Sequence, residues 1–210
     1  MTVSLIQQEH INQVVSVHRK SFSNFFLTSL GDRFLRVYYK SVCRDPFGLM
    51  LGCFEQDKLL GFCAASTLSG NFNTGLVVKN FFEFLRVGFI LLLSRPAALL
   101  RLLLNFSKTD KKAADTEEFA ELLSIAVLKD HQGEGIGQKL LTELETRLRE
   151  EGIERLSLTT DYHNNERAIG FYKSMGYRVH SDFITYPRRR MYRMVKDLKS
   201  LGSRVSSRES

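Results

Sequence analysis

The chain has 210 residues, of which 43% are hydrophobic and 25% are charged. This length and composition suit one folded domain with a sizeable core and exclude a wholly disordered protein. Fourteen Gly and three Pro exclude collagen-like and proline-rich classes, and three cysteines are too few for a disulfide-stapled secreted scaffold.

The cysteines and the N-terminal sequence favour a reducing compartment. Cys43, Cys53 and Cys63 are odd in number, as expected for unpaired thiols that serve as small core residues. The N-terminal sequence MTVSLIQQEHINQ lacks the basic and then apolar pattern of a signal peptide. We therefore expect a cytoplasmic protein.

The net charge of +7 is concentrated near the C-terminus. Residues 186–210 carry eight Lys and Arg against two acidic residues, which leaves about +1 for the rest of the chain. Phosphate binding without sequence preference needs cations clustered on one surface, whereas this basicity belongs to a terminal strand and tail. We expect no nucleic-acid partner, a single domain over residues 1–198, and a disordered basic tail over residues 199–210.

Hydrophobic spacing predicts helices and then strands in the first third of the chain. The predicted elements are a strand over 3–6, helices over 8–20 and 32–44, and strands over 47–55 and 58–68. Asp45-Pro46 ends the second helix. The polar pair Gln56-Asp57 between the two later strands is typical of an antiparallel hairpin.

Residues 79–106 form an unusually apolar stretch. A membrane span needs about 20 largely apolar residues without charges. Here Arg86, Arg95 and Arg101 interrupt the stretch, and Pro96 breaks it. We predict two helices that meet near Pro96 and form an insertion between the third and fourth strands. The insertion either packs on the domain and shapes its binding cleft, or docks on a membrane surface or a partner with its arginines extended toward water.

The second half of the chain has the clearest periodicity. It predicts a strand over 119–128, a helix over 133–151, a strand over 155–160, a helix over 165–175, and closing strands over 177–180 and 188–195. The first of these helices has one apolar stripe, and Gly152 follows its end. The stripe consists of Ile136, Leu140, Leu141, Leu144 and Leu148.

A glycine-rich turn, QGEGIG at residues 132–137, lies directly between a predicted strand and this amphipathic helix. The first N–H groups of a helix are unpaired and carry a partial positive charge. Glycines let these groups turn toward an anion without a Cβ in the way, although loops also use glycine for geometry alone. The spacing matches neither the Walker pattern nor the dinucleotide fingerprint. The turn therefore indicates an anion site of another kind.

Two segments of the second half resemble motifs of one family. Residues 123–141, LSIAVLKDHQGEGIGQKLL, resemble motif A of the GNAT superfamily of acyl-CoA-dependent N-acetyltransferases. Gln132, Gly135 and Gly137 meet the signature Gln/Arg-x-x-Gly-x-Gly/Ala of that motif. Residues 165–177, NERAIGFYKSMGY, resemble motif B. The resemblance covers about residues 1–197 and implies an α/β (α+β) fold with a mixed, mostly antiparallel central sheet flanked by helices.

The resemblance implies that acetyl-CoA binds as a co-substrate, and no metal-ligand spacing is present in the sequence. The pantetheine arm would pair with a strand edge where the family separates its fourth and fifth strands, and Asn165 would bond the same arm. The edge residues are Ile125, Ala126 and Val127. The pyrophosphate would lie on backbone N–H groups of Gln132, Gly133, Glu134, Gly135, Ile136 and Gly137.

The resemblance also implies two catalytic roles. Tyr172 would face the thioester sulfur as general acid, with a core aromatic as the alternative. Glu121 would act as the base that activates the amine, with a plain strand-end carboxylate as the alternative and Asp161 as the reserve base. Members that acetylate ribosomal-protein amino-termini carry a Glu where this chain has Thr160, which counts against copying their mechanism or substrate.

We therefore predict an N-acetyltransferase that moves an acetyl group from acetyl-CoA to a primary amine of a small molecule or amino sugar by direct attack. The alternatives are a protein acetyltransferase acting on Lys or an amino-terminus, and a non-catalytic acyl-CoA-binding module at a membrane surface. The expected partners are acetyl-CoA and a small amine, with peripheral membrane contact through residues 79–106. The expected oligomeric state is a monomer or a homodimer.

Overall fold

The computed structural model describes residues 1–23, 25–68, 72–94, 96–97, 100, 119–185 and 188–198. The strands within this part are β1 (Thr2–Leu5), β2 (Gly48–Glu55), β3 (Lys58–Ser66), β4 (Ala120–Val127), β5 (Arg155–Asp161), β6 (Arg178–Thr185) and β7 (Arg189–Asp197). The α-helices are α1 (Ile11–Ser21), α2 (Phe26–Ser29), α3 (Gly31–Arg44), α4 (Phe72–Lys79), α5 (Phe81–Ser94), α6 (Ile136–Glu150) and α7 (Glu166–Ser174).

The strands form one mixed sheet in the order β1-β2-β3-β4-β5-β7-β6. Neighbouring strands are antiparallel except β4 and β5, which run parallel. The hairpin predicted around Gln56-Asp57 joins β2 to β3, with Glu55 opposite Lys58. The predicted fold class is therefore confirmed, and the helical insertion lies between β3 and β4.

Helices cover both faces of the sheet. On one face, α6 buries the apolar stripe that its sequence predicts, namely Ile136, Leu140, Leu141, Leu144 and Leu148. On the other face, α1 and α3 pack against β3 through a second cluster that includes Val14, Leu35 and Phe62. Each fully buried aliphatic side chain contributes about 1.5–3 kcal/mol. The stripe thus holds α6, and with it the glycine turn that precedes the helix.

The helix α4 was not predicted from the sequence. Its segment FNTGLVVK contains a glycine and two adjacent valines, which are poor helix formers. Tertiary contacts compensate, because Phe72 and Leu76 are buried and Lys79 forms a 2.7 Å ion pair with Asp45 at the end of α3. The helical insertion therefore begins seven residues before the predicted start at Lys79.

Two other elements differ from the sequence prediction. The aromatic-rich connection after α1 contains the short helix α2, whose Thr28 Oγ1 donates a hydrogen bond to the carbonyl of Phe22. The strand β6 reaches Thr185, beyond the predicted end at residue 180. Most of β6 is exposed at the edge of the sheet, so its sequence lacks the apolar alternation of a half-buried strand.

The helix α5 corresponds to the first of the two helices predicted for residues 79–106, and it ends at Ser94, next to the predicted break. Most of the second predicted helix and the tail over residues 199–210 lie outside the described residues. In the described part of the chain, no helix has both the length and the apolar character needed to cross a bilayer.

Candidate active site

The strands β4 and β5 separate after a short parallel contact. They pair only over residues 120–122 and 156–158. Beyond this contact β4 pairs with β3 as far as Val127, and β5 pairs with β7 as far as Asp161. The edge of β4 at residues 125–127 therefore faces an opening instead of a neighbouring strand. The sequence predicts the end of β4 but not this separation, which the resemblance implied.

A β-bulge in β4 lies where the opening begins. Ala64 of β3 pairs with Ser124, whereas Ala65 pairs with Leu122, so Leu123 has no counterpart on β3. A bulge bends a strand and increases its twist. The side chains of Leu123 and Ser124 both face the side of the sheet that α1 and α3 cover. In a regular strand, two successive side chains would face opposite sides. We attribute the divergence of β4 from β5 to this bend.

Tyr39 of α3 holds the bulge in place. Its hydroxyl donates a hydrogen bond to Ser124 Oγ (3.2 Å) and lies 2.7 Å from His18 Nδ1 on α1. Tyr39 and His18 are both buried, and this burial lowers the pKa of His18 to about 4. His18 is therefore neutral at physiological pH, and a chain of hydrogen bonds joins α1, α3 and β4.

The glycine turn before α6 presents backbone donors. Gly133 and Gly135 have φ angles of +94° and +75°, which only glycine adopts at little cost. Gly135 is the last residue before α6. The N–H groups of residues 133–138 donate no backbone hydrogen bond to any described residue. They are the unpaired donors of a helix start and carry its partial positive charge.

Two side chains of the turn form polar contacts close to these backbone donors. Gln132 Nε2 donates a hydrogen bond to the Val127 carbonyl (3.3 Å), which also accepts one from Ser21 Oγ (3.1 Å). The Glu134 carboxylate lies 3.3 Å from His131 Nδ1. The turn is thus tied to the end of β4, and the backbone amides remain free for an anion.

Asn165, directly before α7, and Tyr172 within α7 are seven residues apart, which is about two helical turns, and lie on the same face. Asn165 Nδ2 donates a hydrogen bond to Thr160 Oγ1 (2.6 Å), which joins the start of α7 to the end of β5. The ring of Tyr172 is buried against Phe171 and Tyr177. Its hydroxyl has no hydrogen-bond partner among the described residues, and burial raises the pKa of Tyr172 to about 12. A protonated phenol without a protein acceptor is therefore available as a donor.

Glu121 provides a carboxylate without a counter-ion at hydrogen-bond distance in the described structure. Burial raises the pKa of Glu121, and the positive charge of Arg193 opposes this rise only in part. Tyr38 lies close by: burial and the charges of Tyr39 and Glu121 raise the pKa of Tyr38. The Tyr38 hydroxyl donates a hydrogen bond to Asn73 Oδ1 (3.2 Å) on α4. An enclosed carboxylate with a raised pKa has the properties of a general base.

Asp161, the reserve base, is already occupied. Both of its carboxylate oxygens accept hydrogen bonds from the guanidinium of Arg189. The same guanidinium lies 5.6 Å from the centre of the Phe25 ring. Asp161 is thus engaged with Arg189, whereas Glu121 has no such partner among the described residues.

Several residues around Glu121 and Asp161 were missed in the sequence. Tyr38 carried the helical spacing of a core residue, and nothing in the sequence marked Asn73 or Arg189 as parts of a site. Phe25 lies in the Phe-rich segment between the helices predicted over residues 8–20 and 32–44. In the described part of the chain, no group of His, Cys, Asp and Glu could hold a metal ion.

Comparison with known proteins identifies the class of enzyme. The sequence profile of the Acetyltransferase (GNAT) family matches residues 11–177, which is most of the chain. No curated protein sequence matches the chain. The protein is thus an acyltransferase. It belongs to the GNAT family of acetyltransferases.

Solved structures with the same fold include several N-acetyltransferases. The ribosomal-protein-S18-alanine N-acetyltransferase from Escherichia coli aligns with a TM-score of 0.62 and 15% identity, covering 97% of each chain. The aminoglycoside 6'-N-acetyltransferase from Enterococcus faecium aligns with a TM-score of 0.60 and 14% identity, over 95% of this chain and 98% of that one. The PaiA N-acetyltransferase from Thermoplasma acidophilum, in complex with coenzyme A, aligns with a TM-score of 0.57 and 16% identity, over 94% and 99%. At these identities the likeness concerns the fold.

Proposed function

We propose that the protein transfers the acetyl group of acetyl-CoA to a primary amine of a small molecule or amino sugar, by direct attack of the amine. The observation that carries the proposal is the opening between β4 and β5, which leads to the free backbone amides of residues 133–138. Coenzyme A is present in the related structure from Thermoplasma acidophilum.

The residues at the opening fit the cofactor. The amides of the glycine turn would hold the pyrophosphate, because a helix start attracts anions and Gly133 and Gly135 bring no Cβ to the loop. The edge of β4 at residues 125–127, which has no neighbouring strand, would pair with the amide groups of the pantetheine arm. Asn165, at the start of α7, would bond the same arm. When bound, acetyl-CoA supplies the thioester carbonyl and the thiolate leaving group.

Glu121 would remove the proton that stops the amine from attacking. A lysine-like amine with a pKa near 10.4 loses its proton at a cost of about 4.6 kcal/mol at pH 7. A carboxylate with a raised pKa lowers this cost, directly or through a water molecule, because it binds the proton more tightly than an exposed carboxylate does. The charge of Arg193 partly offsets the rise in the pKa of Glu121.

Tyr172 would donate a hydrogen bond to the departing sulfur. With a pKa of about 12, Tyr172 stays protonated at neutral pH. Full proton transfer to a thiolate whose conjugate acid has a pKa near 8.5 is unfavourable for such a phenol in water. Donation of a hydrogen bond is favourable, and hydrogen bonds to charged acceptors are worth about 1.5–3 kcal/mol.

A small acceptor is favoured by the residues that bridge the opening. Ser21, at the end of α1, bonds the end of β4, and Phe25 four residues later contacts Arg189. Arg189 in turn binds Asp161 at the end of β5. These contacts narrow the space through which a peptide would have to pass. Tyr38 and Asn73 add hydroxyl and amide groups beside Glu121, as hydrogen-bond partners for a polar amine.

Acetylation of a protein amino-terminus is the second candidate, because the fold is shared with the ribosomal-protein-S18-alanine N-acetyltransferase. Against it stands Thr160, whose Oγ1 accepts the hydrogen bond from Asn165. This position therefore provides a structural contact between β5 and α7 and no carboxylate. A binding module without activity is disfavoured by the unpartnered Glu121 carboxylate and Tyr172 hydroxyl.

The proposal is tested by calorimetry with acetyl-CoA and by thiol release over a panel of amines, amino sugars and peptides. The variant Gly135→Glu places a carboxylate at the donors, and we expect it to weaken acetyl-CoA binding at least about 100-fold, since each lost or repelled charge-assisted contact is worth about 1.5–3 kcal/mol. Gly152→Glu is the matched control. Gly152 has a φ of +77°, faces open space as Gly135 does, and follows the opposite end of α6.

Both variants carry comparable backbone strain and the same added charge. The charge is favourable at the start of α6 and unfavourable at its end, so Gly152→Glu should lose more stability than Gly135→Glu. Only Gly135→Glu should lose acetyl-CoA binding. Equal affinity of the two variants would refute the anion site. Tight binding of acetyl-CoA with no amine-dependent thiol release over the whole panel would refute the proposed transfer in favour of a binding module.

A further inference from the structure

The insertion exposes a continuous apolar face on α4 and α5. Phe82, Leu93 and Val78 are 82%, 74% and 70% exposed. Four further large apolar side chains of the two helices are more than half exposed, namely Phe81, Leu85, Phe89 and Leu92. Their spacing of three and four residues places them on one side over about four helical turns. We call these seven residues the α5 face.

The opposite side of α5 is anchored to the domain, so the orientation of the α5 face is fixed. Val87 and Leu91 are buried in a small cluster with Leu30 and Phe34. The rings of Phe34 and Phe84 are 5.9 Å apart in an edge-on contact. A helix with one side in the core normally exposes polar residues on the other. An exposed apolar face of this size marks an interaction surface.

Charge favours an anionic partner for this surface. Arg86, on α5 beside the apolar side chains, is exposed and has no ion-pair partner among the described residues. The sequence of residues 79–112 carries seven Lys and Arg against two acidic residues. A chain segment with this excess of positive charge favours a partner that carries negative charge, such as anionic lipid head groups, over a second copy with the same excess.

We propose that the α5 face binds the surface of an anionic membrane, with α5 parallel to the bilayer. The helix has 14 residues and a length of about 21 Å, which is shorter than the hydrocarbon core of about 30 Å, so it lies in the interface and does not cross it. Phenylalanine and leucine side chains enter the boundary between head groups and acyl chains. Arg86 reaches the phosphate layer with its guanidinium.

The test is co-sedimentation of the full chain with vesicles of equimolar phosphatidylcholine and phosphatidylglycerol, and with vesicles of phosphatidylcholine alone. We expect binding to the anionic vesicles that is at least about tenfold stronger and that weakens with added salt. Phe82→Ser should lower the partition constant about tenfold, and Arg86→Gln about fivefold. Ile184→Ser is the matched control, because Ile184 is 71% exposed on the edge strand β6, and it should bind as the wild type does.

If the α5 face binds something other than a membrane, the same experiments should give different results. A dimer in light scattering that Phe82→Ser dissolves, without vesicle binding, would overturn the proposal in favour of a second copy. A monomer that binds neither vesicle would overturn it in favour of coverage by another segment of this chain or by another protein. Gly135→Glu should still bind vesicles, so failure of the acetyl-CoA site and failure of the membrane site are distinguishable.

Discussion

At the scale of single residues, Glu121 combines a half-buried carboxylate with the proposed task of accepting a proton. Burial raises the pKa of Glu121 above its ordinary value of 4.5, so the folded protein binds this proton more tightly than the unfolded chain does. The stabilising effect of that proton is complete below pH 4.5 and is lost as the pH rises through the raised pKa. At pH 7 the charged carboxylate therefore costs stability.

We predict that Glu121→Gln lowers kcat about 100-fold or more and raises Tm at pH 7. The gain in Tm should vanish below pH 4.5, where the wild-type side chain is neutral in both states. The acid limb of the pH profile of kcat/KM should also disappear. Kinetics and thermal melts across pH measure these effects, with Glu143→Gln on α6 as the control for loss of a surface ion pair. A variant that loses Tm along with kcat would assign Glu121 a structural role.

A second prediction concerns Tyr172 and the thiolate leaving group. The Tyr172 hydroxyl has no partner in the described structure, so Tyr172→Phe should change Tm little. It should lower kcat about tenfold or more and leave the Kd of acetyl-CoA nearly unchanged, because the hydrogen bond forms only as charge develops on the sulfur.

Tyr177→Phe is the complementary variant. The Tyr177 hydroxyl donates a 3.1 Å hydrogen bond to the buried Glu145 carboxylate. Its loss should lower the free energy of unfolding by about 1–3 kcal/mol and leave kcat unchanged. An unaltered turnover in Tyr172→Phe would show that Tyr172 is a packing residue.

At the scale of elements, the sequence predicts helix bounds best where the apolar stripe of one amphipathic helix determines how that helix packs. The helix α6 was predicted within three residues at its start and one at its end, because its apolar stripe is continuous and fully buried. The helix α4 was missed, because its stability comes from burial of Phe72 and Leu76 and not from its own helix propensity.

The active site shows the same limit. The motifs predicted the glycine turn and α7, which are local in sequence. The opening between β4 and β5 depends on a bulge held by the bond between Tyr39 and Ser124, residues 85 positions apart. The surroundings of Glu121 come from Tyr38 on α3 and Asn73 on the insertion. No periodicity of one segment encodes such contacts, so the role of Glu121 could be proposed from the sequence but its neighbours could not.

At the scale of the whole molecule, His18 links stability to the shape of the active site. Its ring joins α1 to Tyr39 and through it to the bulge of β4, and its Nε2 is buried without a hydrogen-bond partner. Protonation would place an unsatisfied charge there. Since the pKa of His18 is about 4 in the folded protein and 6.5 ordinarily, only the unfolded chain binds this proton between those values. The stability that neutral His18 contributes is complete above pH 6.5 and is lost as the pH falls toward 4.

We predict that the wild-type free energy of unfolding falls between pH 7.5 and pH 4 by on the order of 3 kcal/mol more than that of His18→Gln. Glutamine does not titrate and can still bond the Tyr39 hydroxyl, so the difference between the two proteins isolates the histidine from the carboxylates that titrate in both. Urea unfolding at a series of pH values measures it, with His163→Gln in an exposed loop as the control that should follow the wild type. Parallel curves for the wild type and His18→Gln would mean that His18 binds its proton equally in the folded and unfolded states.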